Sequence, residues 1–112
     1  MNIPGSKSPN LYVVGFMGTG KSSISRRVAR KLAMRFLDVD TEIERVAEMP
    51  IADIFEKHGE PHFRELEWHY IESGHPDTGC VISCGGGLIT QDSMAELLKS
   101  KGVLLCLHAS QR

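Results

Sequence analysis

The sequence predicts a small α/β protein built around a central parallel β-sheet. Short apolar runs of the length of buried strands alternate along the chain with segments whose apolar residues recur every three or four positions. Parallel strands need crossover connections, which are usually helices, and this requirement produces such an alternation. The predicted strands cover residues 11–14, 36–40, 80–84 and 103–107.

The first predicted helix follows a glycine-rich turn and covers residues 21–33. Ile24, Val28 and Leu32 recur every four residues with basic side chains between them, which gives the helix one apolar face. Thr41 is a candidate N-cap for the second helix. The later helices are predicted over 41–48, 51–58, 60–73 and 93–101. We expect residues 1–10 to form a flexible leader and residues 11–112 to form the folded core.

Composition argues against several function classes. The 112 residues carry a formal net charge of -1, which gives no general attraction to nucleic acid or to an anionic membrane. No apolar run approaches the roughly 20 residues that span a bilayer, and the N-terminal segment lacks the apolar region of a signal peptide. We therefore expect a cytoplasmic protein. Cys80, Cys84 and Cys106 are expected to be buried free thiols.

The segment 15–22, GFMGTGKS, matches the phosphate-binding pattern G-x-x-x-x-G-K-[ST] at every fixed position. Glycines let backbone N–H groups approach phosphate oxygens, and the following helix adds the dipole of its N-terminus. Lys21 is predicted to contact the β- and γ-phosphates, and the Ser22 hydroxyl to bind Mg²⁺. The predicted nucleotide-binding residues are Gly18, Thr19, Gly20, Lys21, Ser22 and Ser23.

Two acidic residues, Asp38 and Asp40, end the second predicted strand. Because alternate residues of a strand share one face, both carboxylates are expected to point into one cleft. One could hold Mg²⁺ through water, and the other could accept a proton from a substrate hydroxyl. The alternative is that one aspartate caps the next helix and the other is solvated.

Arg64 lies within the segment FRELE, residues 63–67. An arginine among acids on a helix is usually part of a surface ion pair, which contributes little to stability. The functional alternative is that Arg64 binds a carboxylate or phosphate of a substrate with two parallel hydrogen bonds.

Three glycines, Gly85, Gly86 and Gly87, follow the third predicted strand. They exclude side chains and expose backbone N–H groups, which favours the close approach of a ligand. Ligands of parallel sheets bind beyond the carboxyl ends of the strands. The glycines, the phosphate-binding segment and the two aspartates are therefore predicted to converge on one edge of the sheet.

Taken in order, the segments GFMGTGKSS, FLDVD, IADIFEKHGEPHFRELE and VISCGGGLIT resemble the shikimate kinases over residues 10–107. The resemblance implies a P-loop fold like that of the nucleoside monophosphate kinases, with three layers, α/β/α. It also implies ATP-dependent phosphorylation of the 3-hydroxyl of shikimate, with Mg²⁺, to give shikimate 3-phosphate for aromatic amino acid biosynthesis.

The resemblance assigns a role to each matching residue. Lys21 would contact the transferred phosphate, while Ser22 and Asp38 would hold Mg²⁺. Asp40 would bind the shikimate hydroxyl and act as the catalytic base, and Arg64 would bind the shikimate carboxylate. Further contacts to shikimate would come from Gly85, Gly86, Gly87, Phe55 and Phe63. Residues 41–73 would form the shikimate-binding segment.

Shikimate kinases are longer than this chain. Their later part carries a lid with a phosphate-contacting arginine, a second carboxylate-binding arginine, the adenine-binding loop and the last strand. The sequence stops at Arg112, so these parts are expected to be missing and the turnover of a truncated form to be slow. A complete protein is expected to be a monomer, whereas the short form could associate through an open sheet edge.

Two other functions stay open from the sequence. One is a P-loop kinase for another small hydroxylated metabolite, such as gluconate. The other is a module without catalytic activity that binds nucleotide or a protein partner.

Overall fold

Four parallel strands form a single sheet in the computed structural model, which describes residues 8–15 and 21–107. The strands are β1 (Asn10–Gly15), β2 (Arg35–Asp38), β3 (Cys80–Ser83) and β4 (Gly102–Leu107). Their order across the sheet is β2-β3-β1-β4, and every neighbouring pair is parallel. The predicted parallel sheet is therefore confirmed.

Helices connect the strands, as the sequence predicts. They are α1 (Lys21–Lys31), α2 (Val39–Ala47), α3 (Ile51–His58), α4 (Glu60–Ser73) and α5 (Met94–Lys101). A short 3₁₀ helix, Leu88–Thr90, precedes α5 and has no counterpart in the prediction. None of the helices in the described ranges is long and apolar enough to cross a membrane.

The sheet has an apolar layer on each of its faces, because side chains alternate along each strand. On one face Val13 and Val81 pack against Ala29 of α1. On the other face Tyr12 and Ile82 belong to a larger cluster with residues of α2, α3, α4 and α5. The arrangement is the expected α/β/α sandwich of three layers.

The second strand is shorter than predicted, and Asp40 lies in a helix rather than in the strand. Asp38 ends β2 in an extended conformation and is the N-cap of α2. Its Oδ2 accepts hydrogen bonds from the backbone N of Thr41 at 3.0 Å and from Thr41 Oγ1 at 2.9 Å. This cap starts the helix at Val39, so the prediction that Asp38 and Asp40 share a strand face is wrong, and so is Thr41 as the cap.

Smaller corrections concern element ends and one cysteine. Helix α1 ends at Lys31, before Ala33, whose φ of 56° leaves the helical region. Gly102 both ends α5 and begins β4, although the sequence suggests only a break there. Cys80 and Cys84 are buried free thiols as predicted, whereas Cys106 is exposed because β4 lies at the edge of the sheet.

Candidate active site

Asp40 meets the glycine turn at the carboxyl edge of the sheet. A Cβ atom added to Gly85 would lie 3.0 Å from Asp40 Oδ1 and 3.4 Å from Oδ2. The carboxylate therefore packs directly against the backbone that follows β3. Helix α2 brings Asp40 to this position because its first turn lies just beyond β2, the strand beside β3.

Arg64 meets the same turn two residues further on. A Cβ atom at Gly87 would lie 2.5 Å from Nη2 and 2.8 Å from Nη1 of Arg64. The guanidinium thus occupies the volume that any side chain at position 87 would need. The φ of Gly87 is -93°, so space rather than backbone conformation explains this glycine. The contact of Asp40 with Gly85 agrees with the predicted convergence of the aspartates and the glycines, and Arg64 joins them at the same turn.

Two carboxylates of α4 hold the guanidinium in place. Arg64 Nη1 donates to Glu67 Oε1 at 2.8 Å, and Nε and Nη2 donate to Glu60 Oε2 at 3.2 and 3.1 Å. Arg64 therefore does form ion pairs with acids of its own helix, as that alternative predicted. A guanidinium has five N–H donors, and three are used in these bonds. Among the described residues, two remain for a ligand.

Glu67 is a site residue that the sequence reading missed. It is 1% exposed, and its Oε1 also accepts a hydrogen bond from Gln91 Nε2 at 2.8 Å. Burial raises the pKa of Glu67, and the negative charge of Asp40 raises it further, while the hydrogen bond and charge of Arg64 oppose the shift. The carboxylates of Glu67 and Asp40 are thus close enough to influence each other.

A signal for Glu67 was present in the helix periodicity. Phe63, Glu67 and Ile71 follow one another at intervals of four, and the two apolar members are buried. An acid on such a stripe is expected to be buried and paired. Gln91 offers no comparable signal, because it lies in the loop after the 3₁₀ helix, 24 residues beyond Glu67.

The two predicted pocket phenylalanines contact each other beside Arg64. The ring centroids of Phe55 and Phe63 are 4.9 Å apart, and the guanidinium carbon of Arg64 lies 5.4 Å from the Phe63 ring centroid. Phe63 is 4% exposed, whereas Phe55 is 37% exposed. Phe63 therefore supports the arginine from the core, and Phe55 presents part of its ring to solvent.

The phosphate-binding segment is described only in part. The predicted contacts of Gly18, Thr19 and Gly20 lie outside the described residues. Lys21 is the first residue of α1, and the side chains of Ser22 and Ser23 are exposed in the first turn. That turn contains no acidic residue, so nothing in it opposes an anion at the helix N-terminus.

The residues predicted for Mg²⁺ offer the oxygen donors that this cation prefers, the Ser22 hydroxyl and the Asp38 carboxylate. Asp38 Oδ2 is already engaged in the cap of α2. An indirect contact through water therefore suits Asp38 better than direct ligation. The donor set fits Mg²⁺.

Comparison with known proteins identifies the family. A model of the shikimate kinase family matches residues 17–112. The chain is 44% identical over 102 residues to the shikimate kinase of Thermodesulfovibrio yellowstonii, covering 91% of this chain and 59% of that protein. It is 46% identical over 101 residues to the shikimate kinase of a Sulfurihydrogenibium species, covering 90% and 61%.

Solved structures give the same result. A shikimate kinase from Acinetobacter baumannii in complex with shikimate superposes with a TM-score of 0.86 at 41% identity, covering 92% of this chain and 57% of that one. The enzyme from Aquifex aeolicus superposes with a TM-score of 0.84 at 34% identity. The chain spans about 60% of the length of the relatives it matches. The protein belongs to the shikimate kinase family.

Proposed function

We propose that this protein is a shikimate kinase, which transfers the γ-phosphoryl group of ATP to the 3-hydroxyl of shikimate with the help of Mg²⁺. The observation that carries the proposal is the meeting of Asp40 and Arg64 at the turn Gly85–Gly87. An acceptor that carries both a carboxylate and a hydroxyl matches this pair. The shikimate complex of the Acinetobacter relative supports the choice of acceptor.

Arg64 is proposed to bind the shikimate carboxylate through its two remaining N–H donors. Glu60 and Glu67 hold the guanidinium from one side, so little side-chain freedom is lost when the ligand arrives. Backbone N–H groups of Gly85, Gly86 and Gly87 are proposed to supply further contacts. Phe55 and Phe63 are proposed to form the apolar wall of the site.

Asp40 is proposed to accept the proton of the attacking 3-hydroxyl. Its carboxylate lies against Gly85, next to the turn that would hold the ring. A base in this place must be within hydrogen-bond reach of the hydroxyl, and it contributes by removing the proton as the new P–O bond forms.

The nucleotide is proposed to bind at the N-terminus of α1. Gly18, Thr19, Gly20, Lys21, Ser22 and Ser23 would contact its phosphates, and Ser22 and Asp38 would hold Mg²⁺. Mg²⁺ would neutralise charge on the phosphate oxygens. A role in aromatic amino acid biosynthesis, a cytoplasmic location and a monomeric state stay predictions.

Calorimetric titration of the 112-residue protein with shikimate tests the proposal, with Arg64→Ala as the variant. Loss of two charged hydrogen bonds, each contributing about 1.5 kcal/mol, should weaken binding roughly a hundredfold. Arg45→Ala is the matched control, because Arg45 forms an exposed ion pair with Glu42 on the neighbouring helix α2. Equal shikimate affinity in Arg64→Ala and the wild type would rule out the role of Arg64.

A substrate panel with coupled detection of ADP release tests the acceptor. Shikimate should be phosphorylated and gluconate should not. Phosphorylation of gluconate alone would reassign the substrate. Binding of nucleotide with no turnover of either compound would favour a module without catalytic activity.

A further inference from the structure

The side chain of Gln91 connects the end of the glycine turn to α4. Gln91 follows the 3₁₀ helix Leu88–Thr90 and is partly buried. Its Nε2 donates a hydrogen bond of 2.8 Å to Oε1 of Glu67. The same oxygen accepts the 2.8 Å bond from Nη1 of Arg64. One carboxylate oxygen therefore joins a loop residue to the arginine that is proposed to bind the acceptor.

Short-range hydrogen bonds connect the glycines to Gln91. The backbone N of Leu88 donates to the carbonyl oxygen of Gly85 at 3.2 Å. Thr90 Oγ1 donates to the carbonyl oxygen of Gly87 at 2.6 Å. The backbone N of Gln91 donates to the carbonyl oxygen of Leu88 at 3.2 Å. The place of the Gln91 amide is therefore set by the same turn whose glycines are proposed to contact the acceptor.

Glu67 is a buried carboxylate that depends on its donors. Its side chain is 1% exposed, and burial raises the pKa of Glu67, as does the negative charge of Asp40 on α2. The hydrogen bonds from Arg64 and Gln91 oppose that rise. A carboxylate keeps its charge in a protein interior only where hydrogen bonds and opposite charge replace the water that it has lost. Gln91 supplies one of these bonds from outside α4.

We propose that Gln91 is a positioning residue for the acceptor: its amide holds the charged carboxylate of Glu67, and Glu67 holds the guanidinium of Arg64 against the glycine turn. Glu60 gives weaker support, because its side chain is 62% exposed and water competes for its bonds to Arg64. The inference rests on the proposed function, since it concerns how Arg64 receives the carboxylate of shikimate.

The variant Gln91→Met removes the amide and keeps an unbranched side chain of similar length. Glu67 would lose a donor, so its pKa should rise further, and Arg64 should lose part of its fixed orientation. We expect shikimate affinity to fall by about fivefold to tenfold, because the arginine must then be ordered when the ligand binds. ADP affinity should stay at the wild-type value, since Gln91 is bonded to the acceptor side of the site.

The test combines two measurements on the full chain. Calorimetric titration gives the affinities for shikimate and for ADP in separate experiments. Carbon-13 NMR of the side-chain carboxyl groups, without ligand, follows the protonation of Glu67 as the pH changes. Asp92→Asn is the matched control, because Asp92 is the next residue in the same loop and is exposed. It should leave both affinities and the pKa of Glu67 close to their wild-type values.

A double-mutant cycle with Glu67→Leu tests whether Gln91 acts through Glu67. Leucine suits the buried stripe that Phe63 and Ile71 form on α4, and it removes the carboxylate. Gln91→Met should therefore weaken shikimate binding in the wild type and cause no further loss in Glu67→Leu. An equal loss in both backgrounds would overturn the inference.

Three other results would overturn it as well. They are an unchanged shikimate affinity in Gln91→Met, an unchanged pKa of Glu67 in that variant, and an equal loss of affinity for shikimate and ADP. These three do not depend on the folding of Glu67→Leu. A wild-type protein that binds ADP and fails to bind shikimate would remove the proposed acceptor. The carboxyl titration needs no ligand, so it would still support or overturn the hold of Gln91 on Glu67.

Discussion

At the scale of single residues, burial separates the pair of Arg64 and Glu67 from an ordinary ion pair on a helix. Both the Glu60 and the Glu67 contacts have helical spacing, but the Glu67 side chain is 1% exposed while that of Glu60 is 62% exposed. An exposed pair contributes little to stability, whereas removing one partner of a buried pair leaves a charge without compensation. Glu67 is therefore the partner that fixes the guanidinium.

The first prediction concerns the pH dependence of Glu67→Gln. Burial raises the pKa of Glu67 in the folded chain above its ordinary value of 4.5. The stabilisation from this group is thus complete below that ordinary value and is lost as the pH rises through the folded pKa. Glutamine does not titrate. The free energy of unfolding of Glu67→Gln minus that of the wild type should therefore become more positive from about pH 4 to about pH 7.

Urea unfolding at several pH values in this window measures the difference. Glu65→Gln is the matched control, since Glu65 lies on the same helix with its side chain 73% exposed. A change with pH that is no larger for Glu67→Gln than for Glu65→Gln would contradict the raised pKa of Glu67.

At the scale of elements, two short segments place the functional groups: the cap of α2 and the glycine turn. Asp38 ends a strand and starts a helix, and the same side chain is the one proposed to hold Mg²⁺. In the turn, two glycines leave room for the charged side chains that converge there, the Asp40 carboxylate at Gly85 and the Arg64 guanidinium at Gly87.

The second prediction separates the two roles of Asp38. Asp38→Ala should lose about 1 kcal/mol of stability, because the N-cap bond to Thr41 is gone. Asp38→Asn should keep that stability, since asparagine caps helices as well as aspartate does. Both variants should lose part of the Mg²⁺-dependent gain in ADP affinity, because neither carries the negative charge. Thermal unfolding and ADP titration measure the two effects, and full Mg²⁺ dependence in Asp38→Asn would exclude a role in holding the ion.

The third prediction concerns Gly87→Ala. The new methyl group would occupy the place of the Arg64 guanidinium, so the end of this flexible side chain must move. We expect shikimate affinity to fall by at least about tenfold, because the carboxylate contact is displaced. The free energy of unfolding should change by less than about 1 kcal/mol.

Gly86→Ala provides the comparison for stability. A Cβ at position 86 meets nothing within 4 Å, so this variant should fold like the wild type and leave Arg64 where it is. Shikimate titration of Gly87→Ala decides the prediction, and an affinity equal to that of the wild type would show that Arg64 has another way to reach the ligand.

At the scale of the whole molecule, the side chain of Asn10 connects distant parts of the chain. Asn10 begins β1 and is 0% exposed. Its Oδ1 accepts from the backbone N of Cys80, the first residue of β3, at 2.9 Å, and its Nδ2 donates to the carbonyl oxygen of Pro76 at 2.8 Å. Asn10 thus ties the loop after α4 to the centre of the sheet.

The fourth prediction is that Asn10→Ala destabilises the protein by about 1–3 kcal/mol. The substitution leaves the Cys80 N–H buried without the acceptor it has now, and the cost of such a group is of that size. Urea unfolding measures it. Ser100→Ala is the control, because the Ser100 hydroxyl bonds to the Leu97 carbonyl at an exposed site and should contribute less than about 0.5 kcal/mol. Equal stability of Asn10→Ala and the wild type would contradict the prediction.

Most of the helices and strands could be predicted from the sequence, because the patterns that indicate them depend only on neighbouring residues in the chain. The period of apolar residues indicates strands and helices, and α4, Glu60–Ser73, has the predicted bounds. The predicted end of the second strand was wrong for an equally local reason. The capping bond of Asp38 competes with the strand, and the apolar run FLDV does not reveal which of the two prevails.

The sequence by itself determined the α/β class, the phosphate-binding motif and the shikimate kinase resemblance, and it predicted that the aspartates and the three glycines meet at one sheet edge. Only the tertiary structure decided that Glu67 is buried beneath Arg64 and that Gln91 joins it. The physical reason is that burial and hydrogen-bond partners depend on contacts between residues far apart in the chain, which a local pattern does not contain.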